Sequence, residues 1–289
     1  MKILKRISDK VLMAVIIAAI VICNAPAIQA QDDGEVARPV ATMFTVDLGA
    51  ASVRDTYLTP ITYHGTHMRL GFSAMQATGF NPEQWVRHLE LGAEYDLVHN
   101  RPGNNTMHNL MVDGRWSMMR RWRHISGLQL MAGGMIGARG GAIYNPSNSN
   151  NVASVKVHLG VGVAGAIIYP VHIKRLPVTL NWTASFPLIG VTYSPDYDES
   201  YYEMYVGNHS NLVHPAWPGN RLEFNSLLSA DLHLGNTILR VGVRGHSEAM
   251  HINNLRTGIF NGAVVLGLGG DFLNIGRDKQ PKRVISSMY

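Results

Sequence analysis

The chain has 289 residues, 46% of them hydrophobic, with 29 glycines, 14 methionines, one cysteine and a formal net charge of +5. A lone Cys23 excludes an intrachain disulfide, and positive charge without a clustered basic face gives no footing for nucleic-acid binding. Mean hydropathy is +0.00, and no apolar stretch after Ile22 approaches the ~20 residues of a spanning helix, which excludes a bundle of such helices.

The first element is a leader. Lys2, Lys5, Arg6 and Lys10 precede the apolar run from Val11 to Ile22, and small residues follow around Ala25, Ala27 and Ala30. That order predicts a signal peptide over residues 1–30, cleaved after Ala30. A retained membrane anchor is the rival, but an apolar run of roughly a dozen residues is too short for a bilayer core. Lipidation at Cys23 is disfavoured because Ile22 stands where processing needs a small residue. The leader takes about +3 of the charge with it, leaving a cysteine-free mature chain of about +2. Such a chain, bound for an oxidising compartment without disulfides, must be held together by other means.

Residues 31–40 read as a periplasmic N-terminal segment. From Thr42 onward the apolar residues recur at every second position, the period of a strand with one apolar face. In Thr42 to Ala50, Phe44, Val46 and Leu48 share a face opposite Met43, Thr45 and Asp47. Further strands are predicted around 67–74, 85–96, 110–118, 128–139, 155–163, 178–186, 222–234, 239–245 and 262–272. Arg87 is the one charge on the apolar side of its strand, near an end where it can snorkel. About ten strands result, within a range of 8 to 12, most near the ~9 to 11 residues of a tilted membrane strand.

A soluble periplasmic β-domain also alternates apolar and polar residues. Three features favour a membrane barrel over residues 41–276: connections that alternate in length, aromatics crowding strand ends, and glycines on the polar face. The short connections are Thr78 to Glu83, Arg120 to Gly127, Pro170 to Pro177 and Gly235-Asn236. The longer ones, Ser52 to Gly65, Leu97 to His108, Tyr144 to Asn151, Leu188 to Asn220 and Ser247 to Arg256, then fall outside the cell. Residues 277–289 remain as a basic periplasmic tail.

Three runs carry a resemblance: DTYLTPITYHG (Asp55 to Gly65), FPLIGVTYSPDYDESYYEMY (Phe186 to Tyr205) and LRVGVRG (Leu239 to Gly245). With them the chain resembles the domain-of-unknown-function family thirty-three sixteen over most of its mature length. The resemblance implies an exported, barrel-like protein of undetermined activity and supplies no catalytic residues.

The polar face sets Asp47, Glu90, Glu94, Asp96, Asp113, Glu223, Asp231 and Asp271 against Arg69, Arg115, Arg139, Lys156, Arg221, Arg240 and Arg244. Near-balance of sign predicts a lumen plugged by ion pairs, with Arg69, Glu90, Glu94, Asp113, Arg115, Arg139, Arg240 and Arg244 as its core, because a selective pore wants a ring of one sign. Enzyme candidates are sparser. His209-Ser210-Asn211 resembles a barrel-lipase motif, but adjacent residues in a strand point to opposite faces. Asp231 and His233 share a face yet sit beside the Gly235 turn. Asp196, Asp198, Glu199, His246, Glu248 and His251 are placed at the outer rim as a protease-like set. The 13 histidines are scattered, and neither His64 with His67 nor His246 with His251 has a ligand set, so neither metal nor cofactor is expected.

A candidate binding surface is the loop from Leu188 to Asn220, where Tyr197, Tyr201, Tyr202, Tyr205 and Trp217 accompany Asp196. Tyrosine offers wide amphipathic contact at low entropic cost, which suits a surface glycan or protein. The expectation is an all-β, antiparallel outer-membrane barrel in contact with outer-membrane lipid, structural or surface-binding through its outer loops. An outer-membrane hydrolase is the alternative.

Overall fold

The computed structural model describes residues 36–123, 127–148, 151–174, 176–196, 212–235, 237–272 and 283–287. The leader over 1–30 lies outside them. The strands are β1 Val36–Ala37, β2 Val40–Asp55, β3 Thr59–Ala77, β4 Trp85–His99, β5 Thr106–Arg123, β6 Gln129–Tyr144, β7 Ala153–Ile173, β8 Leu176–Tyr193, β9 Val213–Ala216, β10 Arg221–Leu234, β11 Thr237–Ile252, β12 Leu255–Phe272 and β13 Arg283–Val284. Each of β2 to β8 pairs antiparallel with the next, β8 pairs with β10, β10 to β12 continue the ladder, and β12 returns to β2. The result is a closed ten-stranded antiparallel barrel. Closure leaves no unpaired edge in the ring, which is how a sheet satisfies its backbone without water.

The alternation read from sequence sets the two faces. Phe44, Val46 and Leu48 point outward while Met43, Thr45 and Asp47 are buried within. Outward positions elsewhere are also large and apolar, with Leu70 65% exposed and Ile136 58% exposed. Arg87 stands on this outer face and donates from Nε to Gln76 Oε1 across the ladder at 3.1 Å.

Strand length departs from expectation. The ring strands run from 14 to 21 residues, several more than the ~9 to 11 that cross a bilayer. The extra length lies largely at the end bearing the β2–β3 hairpin, called here the upper end. Most of Ser52 to Gly65 and of Ser247 to Arg256, and half of Leu97 to His108, all expected as loops, is strand. The connection between β2 and β3 is only residues 56–58, and β11 turns into β12 through Asn253 and Asn254 alone, with φ of 50° and 58°. Two consecutive left-handed residues make the tight hairpin turn that matches strand twist, and asparagine tolerates that region. Above the apolar belt the outer face turns polar, so the alternation that reveals a strand fades.

One irregularity re-aims a strand. Pro187 pairs with Gly162 and Ile189 with Val161, leaving Leu188 as an extra residue. Such a bulge accommodates proline and flips the side-chain parity, so that Leu180 and Trp182 face out before it and Ile189 and Val191 face out after it. Gly162 is required opposite it, because a Cβ there would lie 2.2 Å from the Phe186 carbonyl oxygen.

The lumen is layered. At the lower end Met75, Val86, Met119, Met131, Ala166 and Ile168 form an apolar cluster. At the upper end Val53, Tyr57, Leu58, Tyr63, Met107 and Ile143 belong to another. Burying a side chain of this size stabilises the fold by about 1.5–3 kcal/mol. The unbranched methionines fill the irregular space between inward-facing walls. Between the two clusters lies a belt of charged side chains.

The first and last described segments meet at the lower end. β1 and β13 pair in parallel, Ile285 N–H donates to the Ala37 carbonyl at 2.9 Å, and Ser287 Oγ donates to the Met75 carbonyl at 3.0 Å. Arg121 binds three carbonyls, of Pro82, Glu83 and Ser286, and so ties the C-terminal segment to the β3–β4 turn. Of the expected tail, 277–289, residues 283–287 are thus packed against the barrel, and the rest lies outside the described residues.

Candidate functional site

The charged belt is built from inward positions of eight strands. Arg69 on β3 meets Asp113 on β5 through both guanidinium branches, Nη2 to Oδ2 at 3.0 Å, and stands 3.6 Å from Glu94. Arg115 lies 3.2 Å from Glu90 and 3.3 Å from Asp113. Arg240 donates to both oxygens of Asp231 at 2.7 Å, and Arg244 donates from Nε to Asp47 at 2.6 Å. All eight lumen residues singled out from sequence are therefore in ion pairs.

Some of these pairs cross the barrel. Arg139 on β6 pairs with Glu94 on β4 and reaches Glu248 on β11, four strands away around the ring, at 3.2 Å. Lys156 on β7 reaches Asp55 on β2, halfway around, at 2.9 Å, and donates to Thr257 Oγ1 at 3.0 Å. Glu248 also accepts from Arg221, which holds Glu223 as well. Desolvating this many charges is costly, and only mutual pairing with further hydrogen bonds offsets it. The belt therefore fixes the wall spacing and register more than it adds stability.

The resembling runs have distinct structural parts. In Asp55 to Gly65, the Asp55 carboxylate accepts from Tyr57 N–H at 3.0 Å, and Tyr57 and Leu58 fold inward over the upper mouth. Asn148 from the β6–β7 connection donates to the Leu58 carbonyl at 2.8 Å. The run from Phe186 carries the bulge. In Leu239 to Gly245 the arginines face the lumen while Leu239, Val241 and Val243 face out.

The enzyme candidates are dispersed. Asp231 is engaged by Arg240, whereas His233 Nε2 bonds Thr179 Oγ1 at 2.8 Å, so the two do not form a dyad. His246 and Glu248, expected at the rim, are lumen residues: inward parity buries both, and His246 Nδ1 lies 2.7 Å from Asn225 Oδ1. His251 is on the exposed outer wall. His214 Nε2 bonds Asn253 Nδ2 at 2.8 Å. His64 faces out and His67 in, since three residues along a strand reverse the face. His209, Ser210 and Asn211 lie outside the described residues.

One arrangement was missed from sequence. His67 Nδ1 lies 2.6 Å from Asp96 Oδ1, whose other oxygen accepts from Asn109 Nδ2 at 2.7 Å. The three residues stand on β3, β4 and β5, all nearly enclosed in the lumen. Their positions could have been found only from the register, which pairs His67 with Asp96 and Asp96 with Asn109.

Of the candidate binding loop, Asp196 and Trp217 are described. Trp217 is 51% exposed, its backbone N–H donates to Asn220 Oδ1 at 2.8 Å, and its ring lies over Gly219. Tyr197, Tyr201, Tyr202 and Tyr205 lie outside the described residues, as do Asp198 and Glu199.

Among curated proteins none matches the sequence. Similar solved structures include the outer membrane protease OmpT from Escherichia coli, with TM-score 0.42 and 8% identity over 82% of this chain and 96% of that one. The β domain of the Bordetella autotransporter BrkA has TM-score 0.40 and 9% identity over 81% of this chain and 100% of that one. The translocator domain of the autotransporter NalP from Neisseria meningitidis has TM-score 0.32 and 12% identity over 90% and 98%. These values are low, and the closed ring stands on the strand register given above. A family model matches residues 12–279, so the chain belongs to the family described as protein of unknown function (DUF3316).

Proposed function

We propose that this chain is an outer-membrane barrel, exported by a cleaved N-terminal signal peptide, that is shut along its axis and acts at its surface, as a structural or surface-binding protein. The observation that carries this reading is the inversion of the walls: large apolar side chains stand exposed around the outside while charged residues are paired within. Water does not tolerate so continuous an exposed apolar belt, whereas the hydrocarbon of a bilayer does. The chain ends then lie on the periplasmic side and the longer hairpins outside. The outward surface ligand is a glycan or protein met by the β8–β10 connection, with Trp217 at its edge.

A hydrolase gains no support from the described residues, because the rim candidates are separated or engaged in the lumen.

The test is fluorescence of the refolded protein in liposomes. Trp116 and Trp182 are outward and 41% and 40% exposed, so brominated acyl chains are expected to quench them strongly. Emission unchanged by bromolipid, together with release of the native protein into a high-salt wash, would overturn the membrane reading.

A further inference from the structure

The outer wall is segregated by charge sign. All ten carboxylates that fall within the ring strands, from Asp47 to Asp271, stand at lumen-facing positions. The bases at outward positions are Arg54, Arg87, Arg120 and Arg256, two at each end of the apolar belt. Arg54 and Arg256 both flank Gly258 on the upper wall, since Gly258 pairs with Arg54 and Arg256 lies two residues before it. His251 is paired directly with Arg256. Two like charges on one face, with no ion pair to either among the described residues, repel unless an anion comes between them.

The same spot is concave. A trough of about 530 Å³ runs down the outside of β2, β12, β11 and β10, with Arg54, Arg256 and His251 around its upper part and Leu222 and Phe260 in its lower part. Its floor is open because Gly258 carries no side chain, and the nearest atom to a Cβ built there is Phe260 Cε2 at 3.4 Å. Leu222 and Phe260 are 44% and 50% exposed and are the highest outward-facing large apolar residues on their strands, so the trough straddles the top of the belt. Cationic groups above and apolar ones below match an amphiphile whose anionic head and acyl chain are oriented the same way.

Resting on the membrane reading above, we propose that this trough is a binding site for a phosphorylated lipid of the outer leaflet, its phosphate between Arg54 and Arg256 and an acyl chain along Phe260 and Leu222. Guanidinium groups take phosphate oxygens through paired N–H donors, which gives this head group an advantage over a zwitterionic one.

The experiment uses the full mature chain refolded in neutral maltoside micelles, with folding verified by heat-modifiable migration, and native mass spectrometry as the readout. The probes are bis-phosphorylated lipid A, its dephosphorylated form and inorganic phosphate. The phosphorylated lipid is expected to bind about tenfold or more tightly than the dephosphorylated one, the scale of a charge-assisted contact. Arg54→Gln with Arg256→Gln removes that preference, Gly258→Leu weakens binding by filling the floor, and Arg120→Gln at the opposite end leaves it unchanged. Equal binding of the two lipids, an unaffected double variant, or full displacement by inorganic phosphate at the lipid's own concentration would each overturn the site. Flotation of the wild type with neutral phosphatidylcholine liposomes reports separately on the membrane reading, so failure of that reading is distinguishable from failure of the site.

Discussion

Arg139 shows how individual residues hold this barrel, since one guanidinium stands against Glu94 on one wall and Glu248 on another. Truncating it leaves Glu94 with Arg69 at 3.6 Å and Glu248 with Arg221, so each carboxylate loses one of its two guanidinium partners in a region already short of water. Arg139→Ala is therefore expected to destabilise the barrel by about 3–5 kcal/mol, read as a lower urea midpoint for loss of the heat-modifiable band. An unchanged midpoint would show that the belt contributes nothing across the lumen. The partners of such residues were only half legible in sequence. Charge balance and parity pointed Arg69, Asp113 and Arg240 inward, but which acid meets which base depends on register. His67 illustrates the gap: its relation to Asp96 spans 29 positions and leaves no local trace. His246 was misplaced for a related reason, because the strand that contains it was read as ending at Gly245.

At the scale of elements, strand existence was legible and strand extent was not. The cue for the tight β11–β12 turn was on the page as Asn253-Asn254, yet the polar residues around it resemble a loop when only the apolar alternation is followed. The bulge at Leu188 was hidden too, since Phe186, Leu188, Ile189 and Val191 read as one hydrophobic run. Its role can be tested by removal. Deleting Leu188 restores unbroken alternation and turns Ile189 and Val191 inward and Thr192 outward, so the protein is expected to lose its heat-modifiable form. Leu188→Ala keeps the extra residue and is expected to shift the urea midpoint by only about 0.5 kcal/mol equivalent. If both variants fold alike, the bulge does not set the register.

For the whole molecule, ten strands and a charged interior followed from period and sign alone, while the two apolar layers that bracket the belt did not. Their methionines occupy polar-face positions in the alternation, where the sequence predicts a lumen filled by paired charges. With Tyr57 and Leu58 over one mouth and the Ile285 segment at the other, side chains stand in three successive layers along the axis, the arrangement on which the proposed shut lumen rests. In planar bilayers the refolded protein is expected to give no sustained unitary conductance, and steady channel steps would contradict the closed reading.

The meeting of Val36–Ala37 with Arg283–Val284 has a chronological consequence. Val40 opens the ring and Phe272 ends it, and these two residues are partners in the seam that joins the first ring strand to the last. Making that seam brings the two halves of the outlying pair together, so the pair is expected to act as a clasp that fastens once the ring has closed. Ala37→Cys combined with Val284→Cys, in a chain whose one native cysteine, Cys23, is replaced by Ser, would turn the clasp into a clock: crosslinking is then expected to mark the moment at which a chain has finished becoming a barrel.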